Sequence, residues 1–133
     1  MSHTKEELER FRDGPWSTII IKNKRLLFRS NMSGLSPLAE AINQHGRELD
    51  GALIFDKVIG RAAAFLIIHA GIRKVYTPLI SGPAMDILRS SRCVVGYLEK
   101  VNRILDKQMT DLDPMERLAL NATTPGQFIK LLR

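Results

Sequence analysis

Short apolar runs bounded by turn residues alternate along this chain with stretches of helical period. Residues 17–22 are rich in β-branched side chains (Thr18, Ile19, Ile20, Ile21), and Asn23-Lys24 suits a tight turn with positive φ. Residues 25–30 then resume an apolar strand, so the segment predicts an antiparallel hairpin. Ala52 to Phe55, Lys74 to Ile80 and Cys93 to Leu98 read as further strands, with Pro78 assigning the second to a sheet edge or an irregularity.

Helical period fills the intervals. Leu38, Ala41 and Ile42 fall on one face behind Ser36, read as a cap, and Pro37, read as the first helical residue, and Gly46 stops the segment. Gly60 to Ala70 predicts a buried helix. Ser81-Gly82-Pro83 opens another with Met85, Ile87 and Leu88 for packing, and Val101 to Lys107 also reads as helical. Thr4-x-x-Glu7 has the spacing of a capping box and Asp13-Gly14-Pro15 ends that helix. Asp113-Pro114-x-Glu116 and Thr124-Pro125-x-Gln127 each combine an N-cap, a first-position proline and an acceptor. A hairpin followed by alternating helices and strands predicts α/β class: a three-layer α/β/α architecture on a mixed sheet whose later strands run parallel. No repeat or linker divides the chain, so residues 1–133 are expected to form one domain.

Composition narrows the setting. With 44% hydrophobic and 26% charged residues among 133, the chain has the make-up of an ordinary soluble globular protein. The polar start and the absence of a long apolar run lead to the expectation of a cytoplasmic protein with neither signal peptide nor membrane span. The single Cys93 excludes an internal disulfide and, before Val94-Val95, reads as a buried, inert thiol. A net charge of +6 favours anionic partners, but the basic residues are scattered and aromatic interleaving is missing, which disfavours nucleic acid. Self-association into a homo-oligomer stays open.

The candidate chemistry lies where the buried strand hands over to the buried helix. Asp56, Lys57 and Arg61 are the charges in an otherwise small or apolar stretch, and with Gly60 they sit at a helix N-terminus, which attracts anions. Ser81 and Gly82 form a second candidate anion seat, with helix capping as the alternative reading. Asp113 and Glu116 are a further candidate, either a paired acid/base site or a helix cap. Catalytic residues are not identifiable. Zinc lacks a ligand set with local spacing, since His3 lies in the N-terminal tail, His45 precedes Gly46 and His69 ends an apolar helix. Neither a dinucleotide fingerprint, nor a P-loop, nor a G-x-S-x-G elbow occurs, so no cofactor is expected.

The run Gly51-Ala-Leu-Ile-Phe-Asp-Lys-Val-Ile-Gly-Arg-Ala-Ala-Ala64, with Val75-Tyr-Thr-Pro-Leu-Ile-Ser81 and Pro114-Met-Glu116, resembles an uncharacterised family of small prokaryotic cytosolic proteins with a cytidine-deaminase-like fold. The resemblance extends over nearly the whole chain. Its Asp-Lys-Val-Ile-Gly turn is also similar to a segment of the formate dehydrogenase accessory sulfurtransferases. Active deaminases of this fold carry H-A-E or C-A-E at one helix start and P-C-x-x-C at the next. Arg61-Ala62-Ala63 and Pro83-Ala84-Met85-Asp86-Ile87 stand at those places here, so the resemblance implies a fold without the zinc motifs. It also implies a cysteine before Pro114-Met-Glu, where this chain has Asp113. The resulting expectation is a zinc-less protein that binds a small anionic or nucleotide-like ligand through Asp56, Lys57, Gly60, Arg61, Ser81 and Gly82. An accessory or scaffold protein engaging a partner enzyme, and a non-zinc acid/base enzyme, are the alternatives.

Overall fold

A computed structural model describes residues 5–106, 108–109 and 111–132. Its elements are α1 (Lys5–Asp13), β1 (Thr18–Lys22), β2 (Arg25–Ser30), α2 (Ser36–His45), a 3₁₀ turn (Gly46–Leu49), β3 (Leu53–Asp56) and β4 (Val58–Ile59). They continue with α3 (Arg61–Ala70), β5 (Lys74–Ser81), α4 (Gly82–Ser90), β6 (Val94–Val101), α5 (Pro114–Ala119) and α6 (Pro125–Leu132). The strands form one six-stranded mixed sheet. β1 is antiparallel to both β2 and β3, whereas β3, β4 and β6 all run parallel to β5. Asn23 and Lys24 take φ of 51° and 64°, which builds the predicted hairpin turn.

Side-chain alternation along the strands divides the core into two layers. Ile20, Ile54 and Val75 meet the helices on one face, joined by Ile80 because the alternation of β5 shifts phase at Pro78, while Phe55 and Tyr76 meet Leu8 and Phe11 of α1 on the other. The centre of the first face is α3. It is buried from Ala62 to Ile67, and its alanines let α4, α5 and α6 pack closely against it. Phe65 meets Phe128 of α6 with ring centroids 5.6 Å apart, pinning the C-terminal segment to the helix that opens the candidate site.

Several local expectations are corrected. Pro78 lies on no sheet edge, because β5 has neighbours on both sides; it occupies the irregularity where β3 gives way to β4. Residues 102–106 are not helical. The chain there turns back through a Leu105–Leu112 bridge, an Asp106 N–H bond to the Asp111 carbonyl and an Asp113 N–H bond to the Ile104 carbonyl, which take the place of helical bonds. Lys107 lies outside the described residues, as do His3 and Thr4, the first residue of the expected capping box. Ser36 is the first residue of α2, with Leu35 at the N-cap and no side-chain cap bond. Cys93 is buried as expected, donates to the Ile72 carbonyl at 3.6 Å, and is pushed upward in pKa by burial. Among the described residues no helix is long and apolar enough to cross a membrane.

Candidate functional site

β3 and β4 keep the same parallel register on β5, Leu53 pairing with Lys74 and Val58 with Leu79, so they are one strand interrupted at Asp56-Lys57. That register sets Lys57 opposite Pro78, which has no N–H to donate. The interruption is anchored from the antiparallel side instead. Lys57 N–H donates to the Ser17 carbonyl at 3.0 Å, and Thr18, the register partner of Asp56, donates its hydroxyl to Asp56 Oδ1 at 3.2 Å.

Asp56 is 8% exposed. Burial pushes its carboxyl up to about 7, against the opposing pull of the Thr18 hydroxyl and the Lys57 backbone N–H. Asp56 does not pair with Lys57. The lysine side chain crosses to the end of α1 and donates Nζ to the Gly14 carbonyl at 2.6 Å.

The start of α3 carries the most specific geometry. Gly60 is its N-cap and supplies no side chain, yet the first two N–H groups of the helix are satisfied. Arg61 N–H donates to Glu116 Oε1 at 2.6 Å and Ala62 N–H donates to Glu116 Oε2 at 2.7 Å, from a residue 54 to 55 positions further along the chain. The Glu116 carboxylate therefore sits where an anion at a helix N-terminus would sit. A Cβ on residue 60 would lie 2.2 Å from Oε1, so this approach requires glycine. Burial raises the Glu116 pKa; the Ala62 and Arg61 N–H groups oppose it, the Asp113 charge adds to it, and the Arg61 charge opposes it. Asp113 caps its own helix by accepting from Met115 and Glu116 N–H at 2.9 and 3.3 Å.

A cleft of about 360 Å³ opens over this arrangement. It brings together Asp56, Lys57 and Gly60 with Asp113 and Glu116, which were separate candidates in the sequence. The loop between β2 and α2 closes one side, and Met32, Val58 and Met115 form an exposed apolar rim. Ser81 and Gly82 lie outside it. The Ser81 hydroxyl is buried and caps α4 by accepting from Ala84 N–H at 3.2 Å. Arg61 contributes its backbone to the Glu116 contact, and its guanidinium has no hydrogen-bond or ion-pair partner among the described residues. Sequence reasoning missed Thr18, Ser17 and Gly14 as supports of the Asp56-Lys57 turn, since bonds across strands and loops leave no local spacing. A second groove, of about 330 Å³, lies between α1 and β1 against Phe11, Trp16, Ile19 and Phe55, away from this carboxyl cluster.

Zinc does not fit the residues present. The starts of α3 and α4 offer Arg61-Ala62-Ala63 and Pro83 to Ile87, without a His or Cys, and no group of three His, Cys, Asp or Glu side chains able to hold a metal occurs among the described residues.

A family model described as a domain of unknown function, DUF1893 (TM1506), matches residues 7–133. The chain belongs to the DUF1893 family. A crystal structure of a DUF1893 family protein (TM1506) from Thermotoga maritima is similar to it with a TM-score of 0.83 and 27% identity, over 98% of this chain and 90% of that one. A dCMP deaminase from the cyanophage S-TIM5 in apo form matches at a TM-score of 0.54 and 16% identity, over 71% of this chain and 99% of that one. Acinetobacter baumannii RibD matches at 0.50 and 18%, over 60% of this chain and 27% of that one. The DUF1893 chain thus has a cytidine-deaminase-like fold. No curated protein matches it.

Proposed function

We propose that this DUF1893 protein binds a small nucleotide-like ligand in the cleft at the start of α3. The observation that carries the reading is the convergence of Asp56, Lys57, Asp113 and Glu116 on one cleft from segments far apart in the chain. Its volume of about 360 Å³ falls in the range of small-molecule sites. Glu116 fills the backbone anion seat, so the cation lining the cleft is Lys57, which gives one of its three Nζ donors to the Gly14 carbonyl and has the others to offer, and the carboxyl groups serve as acceptors for ligand N–H or O–H donors. A ligand with both a donor-bearing ring and an anionic group suits that mixture. One protein of the same fold is a dCMP deaminase, so nucleotides are the first class to test.

Thermal-shift and titration measurements against nucleosides, nucleoside monophosphates and inorganic phosphate test the reading. A bound nucleotide at a hundred times its Kd stabilises the fold by about 2.7 kcal/mol. Asp56→Asn and Lys57→Ala are expected to remove the shift. A panel without any shift in the wild type would overturn the proposal. The exposed rim of Met32, Val58 and Met115 favours a second reading, in which a partner protein covers the cleft.

A further inference from the structure

The two edges of the sheet are built differently. β2, at one edge, carries a bulge opposite Ile20/Ile21, exposes Arg25 and Arg29, and continues a hairpin that also holds Lys22 and Lys24. A bulge and a row of like charges are the usual guards against edge-to-edge pairing. β6, at the other edge, has neither. It is eight residues long, keeps one unbroken register with β5, and has no proline. Its charges, Glu99 and Lys100, are adjacent and of opposite sign, and its apolar side chains Val94 and Tyr97 are 53% and 40% exposed. α1 and α4 pack over the two faces of β6, and among the described residues β5 is its only strand partner.

We infer that β6 is a self-association edge, pairing antiparallel with β6 of a second copy about a two-fold axis. The charge pattern of β6 permits this partner. With Tyr97 on the axis, Tyr97 faces its own copy, Gly96 faces Leu98, Val95 faces Glu99 and Val94 faces Lys100, so no like charges meet. Pairing through β2 would instead bring two basic hairpins together. Because only one edge is unguarded, association closes at a dimer with a continuous sheet across the axis and does not propagate into a filament.

Sedimentation and light scattering on the full chain test the inference. The wild type is expected at twice the chain mass, and the double variant Val94→Lys/Tyr97→Lys at the chain mass with an unchanged far-UV circular dichroism spectrum, since both side chains are exposed. Leu26→Lys, on the exposed surface of β2, should leave the mass doubled. Hydrogen exchange provides a second readout: β6 amides should lose protection on dilution of the wild type. A wild type found at the chain mass would overturn the inference, as would a dimer that survives the β6 variant or one that Leu26→Lys dissociates.

Discussion

Gly60 and Glu116 share one space: the Glu116 carboxylate lies where a Cβ on residue 60 would have to be, 2.2 Å from Oε1. The consequence is testable by mutation. Gly60 has φ of −104°, which any residue adopts, so Gly60→Ala acts by displacing Glu116 and leaves the backbone unstrained. Glu116→Ala removes the same remote cap of α3. Each is expected to destabilise the fold by about 1–2 kcal/mol in urea melts. The double variant should cost little more than either single one, because both remove one interaction. Additive losses would show that the two residues act independently.

Asp56 makes stability depend on pH. Its folded pKa of about 7 is raised above the unfolded carboxyl value, so the folded chain keeps a proton that the unfolded chain releases. This contribution is fully present below about pH 4, falls as pH rises, and is lost above about pH 7. Asp56→Asn, which mimics the protonated side chain and still accepts from Thr18, should flatten that slope and stabilise the protein at pH 8 by a few kcal/mol. A variant less stable than the wild type at pH 8 would contradict this.

Lys57 and Arg61 should separate in their effects on the ligand-free protein. Lys57 holds the Gly14 carbonyl at the end of α1, so Lys57→Ala is expected to cost about 1 kcal/mol and to speed hydrogen exchange in residues 14–17. The Arg61 guanidinium has no such partner, and Arg61→Ala should stay within about 0.5 kcal/mol of the wild type. Equal losses in both would show that the Gly14 contact is not what distinguishes them.

The donor set leads to a metal prediction. Protein purified without chelators is expected to hold no stoichiometric zinc by elemental analysis, because neither the start of α3 nor the start of α4 supplies His or Cys. One tightly held zinc per chain would mean that ligands from distant segments assemble a site.

Local sequence was sufficient for most of the sheet. The β-branched run at Thr18 to Ile21, the positive-φ turn at Asn23-Lys24 and the short apolar runs around Ile54, Val75 and Val95 each carry their own period and boundaries. The buried α3 was equally legible, since Ala62 to Ile67 have no polar face to expose. The two-residue β4 was not, and neither was the non-helical course of 102–106, because both depend on which neighbouring backbone offers a partner.

The candidate site divides along the same line. Asp56, Lys57 and Gly60 were visible as charges and a glycine at a strand-to-helix turn, and Asp113 and Glu116 as a cap spacing. Only the tertiary structure brings both groups to one cleft, sends Glu116 to cap a helix other than its own, and commits the Lys57 side chain to Gly14. The reason is physical. Capping and periodicity act within a turn or two of the chain and leave fixed spacings, whereas a carboxylate reaching a helix 54 residues earlier is positioned by the packing of α5 and α6 on α3.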